Sequence, residues 1–261
     1  MTRRVTDMMG NSVEVSDHPT RIISLVPSQT ELLCDLGLDD EVIGITKFCV
    51  HPNEWFRNKK RVGGTKNVNF KIIDELQPDI IIANKEENTR EQVEQLAGKY
   101  PVWVSDIKNV ADALQMIMAM GEITGKVDRA TLLADEISIG FGQLKQAGSP
   151  RRVAYFIWRD PWMCAGGDTF ISDIIERMGW YNVLKNEPRY PQISLEYLAD
   201  LSVELILLSS EPYPFKAKHI AEISAVLPHA EVQLVDGEMF SWYGSRMKHA
   251  ITYLSELLIK K

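Results

Sequence analysis

Cysteine is scarce in this chain and unpatterned. Cys34, Cys49 and Cys164 are the only three, and no two stand at CxxC spacing. An odd, scattered set offers neither a disulfide framework nor a zinc knuckle. Cys34 lies in an apolar run and reads as a small core residue, while Cys49 and Cys164 read as structural. Excess positive charge is also missing: 29 Lys and Arg stand against 36 Asp and Glu, a formal net charge of -7. That balance argues against nucleic acid as a partner. No apolar run approaches the roughly 18 residues of a membrane span, and Met1-Thr2-Arg3-Arg4-Val5 leads into a polar stretch rather than a signal-peptide core. The chain is therefore expected either to work in the cytoplasm or to have had an export signal removed.

Catalytic signatures are absent too. There is no GxSxG elbow, no GxxxxGK[ST] phosphate loop and no HExxH pair. Gly63-Gly64 and Gly166-Gly167 are isolated pairs that read as turn glycines. His51 is open to two readings, a partly exposed loop histidine or a metal ligand, but no second histidine stands at ligand spacing. His18, His219, His229 and His249 fall in segments that read as surface. The expectation is a monomer that is not an enzyme, with no intrinsic cofactor and no resident metal.

What is present is a regular alternation. The first strand is expected at 21–26 and ends at Pro27; Ser28 with Glu31 three residues later reads as a capping box opening a helix that stops at Gly37. Strand 41–46, helix 70–76, strand 79–83, helix 89–97 and strand 101–104 follow, then helices over 109–124 and 126–147. After Gly148-Ser149-Pro150 the pattern restarts: strand 152–157, helix 169–178 capped by Asp168, helix 194–201, strands 203–208 and 231–235, and helix 246–259. Strands separated by helices predict parallel sheets covered on both faces. The segment 70–82 is echoed by 193–207, which suggests two similar halves.

Ligands of open α/β sheets gather at the carboxyl ends of the strands. The loops expected there are rich in aromatic residues, among them Phe48, Trp158, Trp162, Tyr190, Tyr213, Phe240, Trp242 and Tyr243. Aromatic faces suit a bulky planar ligand, and they equally serve to seal the end of a core.

These residues resemble a known family. Arg21-Ile22-Ile23-Ser24-Leu25-Val26-Pro27-Ser28-Gln29-Thr30-Glu31, Arg61-Val62-Gly63-Gly64, Leu76-Gln77-Pro78-Asp79-Ile80-Ile81-Ile82, Gly166-Gly167-Asp168-Thr169-Phe170 and Tyr190-Pro191-Gln192-Ile193-Ser194 are similar to helical-backbone (type III) substrate-binding proteins of ABC importers. The likeness extends over about residues 5–259 and is greatest to cobalamin binders, with siderophore and haem binders next. It implies two Rossmann-like lobes (1–125 and 149–261) joined by a single long α-helix within 126–148, and a ligand cleft between the lobes. It further implies ligand contacts at Pro27, Phe48, His51, Thr65, Asn84, Tyr190, Trp242 and Arg246, to which the aromatic loops add Trp158 and Tyr243. The ligand so implied is cobalamin, another corrinoid or a related metal chelate, and the alternatives are a haem or ferric siderophore and a chelatase-like enzyme. Cobalamin binders carry aromatics where Thr65 and Asn84 stand here. The family also docks on its permease through one acidic residue per lobe. Glu196 matches one such position, whereas the other reads Lys71 with Asp74 and Glu75 nearby, so Glu196 and Glu75 are the docking candidates.

Overall fold

A computed structural model describes residues 1–144 and 148–259. The expected long helix at 126–147 therefore has its last three positions outside the described residues; its described part is Val127–Gln143. The chain divides into two compact units. The first comprises Met1–Asp106, Ala111–Glu136 and Tyr243–Arg246, and the second Ile107–Val110, Ile137–Trp242 and Met247–Lys261.

The first unit opens with an antiparallel hairpin that the sequence reading passed over, since it took residue 21 as the first strand. β1 (Thr2–Thr6) pairs with β2 (Ser12–Ser16), Thr2 opposite Ser16. Only Val13 and Val15 of the pair are buried, so most of the hairpin is polar and reads as loop. Its turn is made by Asp7, whose Oδ1 accepts from the Met9 and Asn11 amides at 2.9 and 2.7 Å.

Next come β3 (Ile22–Ser24), α1 (Pro27–Asp35), β4 (Val42–Ile45), α2 (Asn53–Asn58), β5 (Lys60–Arg61), α3 (Phe70–Leu76), β6 (Ile80–Asn84), α4 (Arg90–Ala97) and β7 (Val102–Ser105). The sheet runs β5-β4-β3-β6-β7, parallel throughout. β6 is buried along its whole length, as the apolar run Ile80-Ile81-Ile82-Ala83 requires of a strand covered on both faces. Ile23, Leu25, Ile73, Ile81 and Leu96 form the core between this sheet and its helices. α5 (Val110–Thr124) and α6 (Val127–Gln143) follow, and α6 has its residues through Glu136 in the first unit and the rest in the second.

The second unit holds β8 (Arg152–Trp158), β9 (Met163–Cys164), α7 (Phe170–Arg177), β10 (Tyr181–Asn182), α8 (Leu195–Asp200), β11 (Leu205–Ser209), α9 (Ala217–Val226), β12 (Glu231–Val235), α10 (Glu238–Ser241) and α11 (Met247–Ile259). Its sheet runs β10-β8-β11-β12 in parallel, with β9 antiparallel to β8. The sequence echo has a topological counterpart. α3 precedes β6, which pairs with β3; α8 precedes β11, which pairs with β8. Asn69 and Ser194 cap these two helices through side-chain oxygens that accept from the amides of Ile72 and Tyr197, each at 3.2 Å.

Several local expectations are corrected. No capping box forms at Ser28: Pro27 occupies the first helical turn, extended Val26 is the cap residue, and Ser28 is already inside α1. Glu31 is thereby released for another partner. α7 is capped by Thr169, whose Oγ1 accepts from the Ser172 amide at 3.3 Å, while the Asp168 carboxylate accepts from the Arg189 amide instead. Cys34 is half-buried rather than core. His219 is buried, because α9, which the flanking prolines and lysines obscured, turns it inward. α2, β5, β9 and β10 are too short to show a period.

Candidate functional site

At the carboxyl ends of the first unit's strands the side chains turn polar. Ser24, Thr46, Asn84 and Ser105 lie at the ends of β3, β4, β6 and β7, and all are buried. Helix α1 covers them with Gln29 and Thr30. The Thr30 hydroxyl lies 2.8 Å from Ser24 Oγ and 3.0 Å from Cys49 Sγ, and Gln29 Nε2 donates to Ser105 Oγ. Burial holds the Cys49 thiol above its ordinary pKa, partly offset by hydrogen bonds from Thr30 and Thr46. Cys49 is thus a packing residue bonded to two threonines.

Asn84 has an internal role. Its Oδ1 accepts from the amides of Glu86 and Glu87 at 2.8 and 3.1 Å, and its Nδ2 donates to Ser105 Oγ at 3.0 Å. Asn88, which the sequence reading did not single out, completes the arrangement. Its Oδ1 accepts from the Asn84 amide at 2.9 Å, and its Nδ2 donates to the carbonyls of Thr65 and Leu25 at 2.9 and 3.4 Å. One asparagine side chain therefore ties together the segments after β3, β5 and β6. The signal was available in sequence as Asn84 and Asn88 flanking a turn, but short polar residues in turns are too common to mark it.

Pro27, Phe48, His51, Thr65 and Asn84 all fall in this group of strand-end loops, so the first unit brings its expected site residues to one edge of its sheet. Phe48 is half-exposed at 50%, with Lys47 Nζ 5.0 Å from its ring centre. Thr65 is buried and His51 half-buried.

The second unit presents a different surface at the same ends of its strands. Trp158, 40% exposed at the end of β8, packs edge-on against Tyr213 at 5.7 Å. Tyr213 continues into Phe215 at 4.8 Å, and Phe215 stacks on Trp162 at 6.2 Å with 7° between the planes. Arg159 lies 4.7 Å from the Trp162 ring and is held by Glu222, its Nε donating to Oε2 at 3.0 Å. His219 underlies this group: its Nδ1 accepts from the Lys216 amide at 2.9 Å, which puts the proton on Nε2, 3.2 Å from the Tyr213 hydroxyl. Trp242 is buried and donates through Nε1 to Glu211 at 2.7 Å, an oxygen shared with Ser241 Oγ at 2.9 Å. Tyr190 is half-buried.

Tyr243 and Arg246 belong to the first unit, separated by the chain's turn from Trp242 in the second. Arg246 donates from Nε and Nη2 to both oxygens of Glu31 at 2.8 and 2.6 Å, with side-chain exposures of only 11% and 15%. This fork holds Tyr243–Arg246 against α1, and nothing in the local sequence points to it. Of the docking candidates, Glu196 is exposed in the first turn of α8 and Glu75 is exposed on α3 beside exposed Lys71. Asp74 is engaged by Lys99 at 2.9 Å and by the Tyr100 hydroxyl at 2.8 Å. Among the described residues no cluster of three or more His, Cys, Asp or Glu is arranged to hold a metal ion, and no helix is long and apolar enough to cross a membrane.

The sequence matches the family model of the periplasmic binding proteins over residues 22–232. The ABC transporter substrate-binding lipoprotein YvrC of Bacillus subtilis, itself uncharacterized, is 25% identical over 269 residues, covering 97% of this chain and 84% of the relative. The vitamin B12-binding protein of Photorhabdus laumondii is 28% identical over 196 residues, covering 73% of this chain and 71% of the relative. Among solved structures, the vitamin B12 binding protein BtuF of Vibrio cholerae gives a TM-score of 0.73 at 18% identity, covering 93% of this chain and 99% of BtuF. The heme binding protein HutB of Vibrio cholerae gives 0.78 at 20% identity, with 93% and 99% covered. At such identities the structural likeness shows the fold, that of type III periplasmic binding proteins. With two α/β units of matching topology and a family match over most of its length, this chain belongs to the periplasmic binding protein family.

Proposed function

We propose that the protein reversibly captures a corrinoid, cobalamin-like molecule for delivery to an ABC permease, and catalyses no reaction on it. The observation that carries this reading is the aromatic pair of exposed Trp158 and half-buried Tyr213 beyond the carboxyl ends of β8 and β11. A large planar ligand gains apolar contact there at low entropic cost. In the first unit, Phe48 adds a half-exposed ring, and His51, Thr65 and Pro27 line the neighbouring loops. Tyr190, Trp242 and Tyr243 complete the aromatic set. Asn84 and Arg246 act in this reading by holding the loops, since their polar atoms are bonded internally. The kinship with a vitamin B12-binding protein supports a corrinoid over other cargo. Delivery to a permease would use Glu196 on one unit and Glu75 on the other, in a compartment outside the cytoplasmic membrane.

Titration with cyanocobalamin, followed by tryptophan fluorescence, tests this directly. Quenching with a Kd of about 1 μM or tighter is expected, with Trp158→Ala weakening it by roughly 10-fold, the worth of about 1.4 kcal/mol of lost aromatic contact. Binding of hemin or a ferric siderophore in place of cobalamin would transfer the reading to those chelates. No binding of any of the three would end it.

A further inference from the structure

The loop after β6 holds a carboxylate to which no described residue donates a hydrogen bond. Around it, charged groups are accounted for: Lys85 pairs with Asp106 at 2.7 Å, and Lys66 Nζ donates to the Glu86 carbonyl. Glu87 differs. Its amide donates to Asn84, yet no described residue donates to its carboxylate or pairs with it. The side chain is half-buried, and desolvation raises its pKa above the ordinary glutamate value; Lys66 offsets part of the rise and Glu86 adds to it. The backbone of the turn is held in place. Asn84 Oδ1 pins residues 86 and 87, the Asn88 amide donates to the Asn84 carbonyl at 3.1 Å, and Asn88 Nδ2 anchors the turn to Thr65. An unpaired carboxylate on a rigid turn, at the strand ends where the fold collects ligands, is a preorganised acceptor.

We propose that Glu87 contacts the cargo and selects for molecules with amide or amine N–H groups on their periphery, against molecules that present carboxylates. The inference rests on the strand-end loops being the binding face, as argued above. A carboxylate only accepts hydrogen bonds, so an N–H gives a charge-assisted bond. A carboxylate on the ligand would instead meet a like charge in a partly desolvated setting. Cyanocobalamin, ringed by amides, and hemin, with two carboxylates, are macrocyclic metal chelates of opposite peripheral character.

The experiment titrates wild type, Glu87→Gln and Glu87→Ala with each probe between about pH 8 and pH 5. Wild type is expected to prefer cyanocobalamin and to lose affinity for it on acidification as the carboxylate protonates. The charged groups acting on that titration are Lys66 and Glu86. Both variants should bind cyanocobalamin about 10-fold more weakly, lose that pH dependence and bind hemin more tightly. Unchanged cyanocobalamin affinity in both variants would overturn the role of Glu87 while leaving capture intact, and so would a wild-type preference for hemin. Failure of wild type to bind either probe or a ferric hydroxamate would overturn the binding reading and this inference together. Thermal unfolding of the variants confirms that they are folded.

Discussion

Arg246 and Glu31 are almost fully enclosed, and each satisfies the other through two short hydrogen bonds. Removing one partner strands a mostly buried charge, so Arg246→Ala should lower stability by about 3 kcal/mol in urea unfolding. The double variant with Glu31→Ala should cost less than the sum of the two singles, since each single already forfeits the pair. Glu87 behaves oppositely. Its raised pKa means that the folded state holds a proton that the unfolded state has released, in the window above the ordinary glutamate value. Stability therefore declines as pH rises through that window. Glu87→Gln should raise the unliganded Tm at neutral pH and have little effect in acid, a gain in stability beside a loss in binding. The thiols give a third readout. Cys34 is pushed up to about 11 by burial and by Asp39 and Asp35, and burial raises Cys49 and Cys164 as well. Iodoacetamide at about pH 8 should leave all three largely unmodified in the native protein and alkylate them in denaturant.

Of the short helices, α3, α7 and α8 begin at side-chain caps, whereas α2 and α10 do not. Asn69 and Ser194, which the sequence reading did not single out as caps, cap α3 and α8. The capping box at Ser28 misled, because Pro27 one residue earlier is itself at home in the first turn. Thr169→Ala, which removes the oxygen that accepts from Ser172, should cost about 1 kcal/mol, measured by chemical unfolding. The Gly166-Gly167 pair, legible only as a turn, has a steric reason. A Cβ on Gly167 would stand 1.8 Å from the Lys185 carbonyl oxygen, and one on Gly166 2.2 Å from that of Glu187. Gly167→Ala must displace backbone on one side, so a loss of at least about 2 kcal/mol is expected in the second unit. The hairpin and α9 escaped the sequence reading because polar alternation in one, and prolines with lysines in the other, masked the period.

For the molecule as a whole, the proposed function makes capture and delivery separable. If Glu196 serves docking, Glu196→Lys should abolish cobalamin uptake by cells while leaving the Kd for cyanocobalamin of the purified protein unchanged. A variant that impaired both would move Glu196 into the binding site. The sequence by itself determined the two parallel-sheet units. Apolar strand runs, helix periods and Gly or Pro stops are local, and each is satisfied within a few residues of where it is written. Tertiary structure alone decided which polar groups find partners. Glu31 and Arg246 are 215 positions apart, Asn88 joins three loops, and Glu87 is left without a donor among the described residues. Hydrogen bonds and charges are settled by distances of a few ångströms between segments remote in the chain, and no periodicity records those distances.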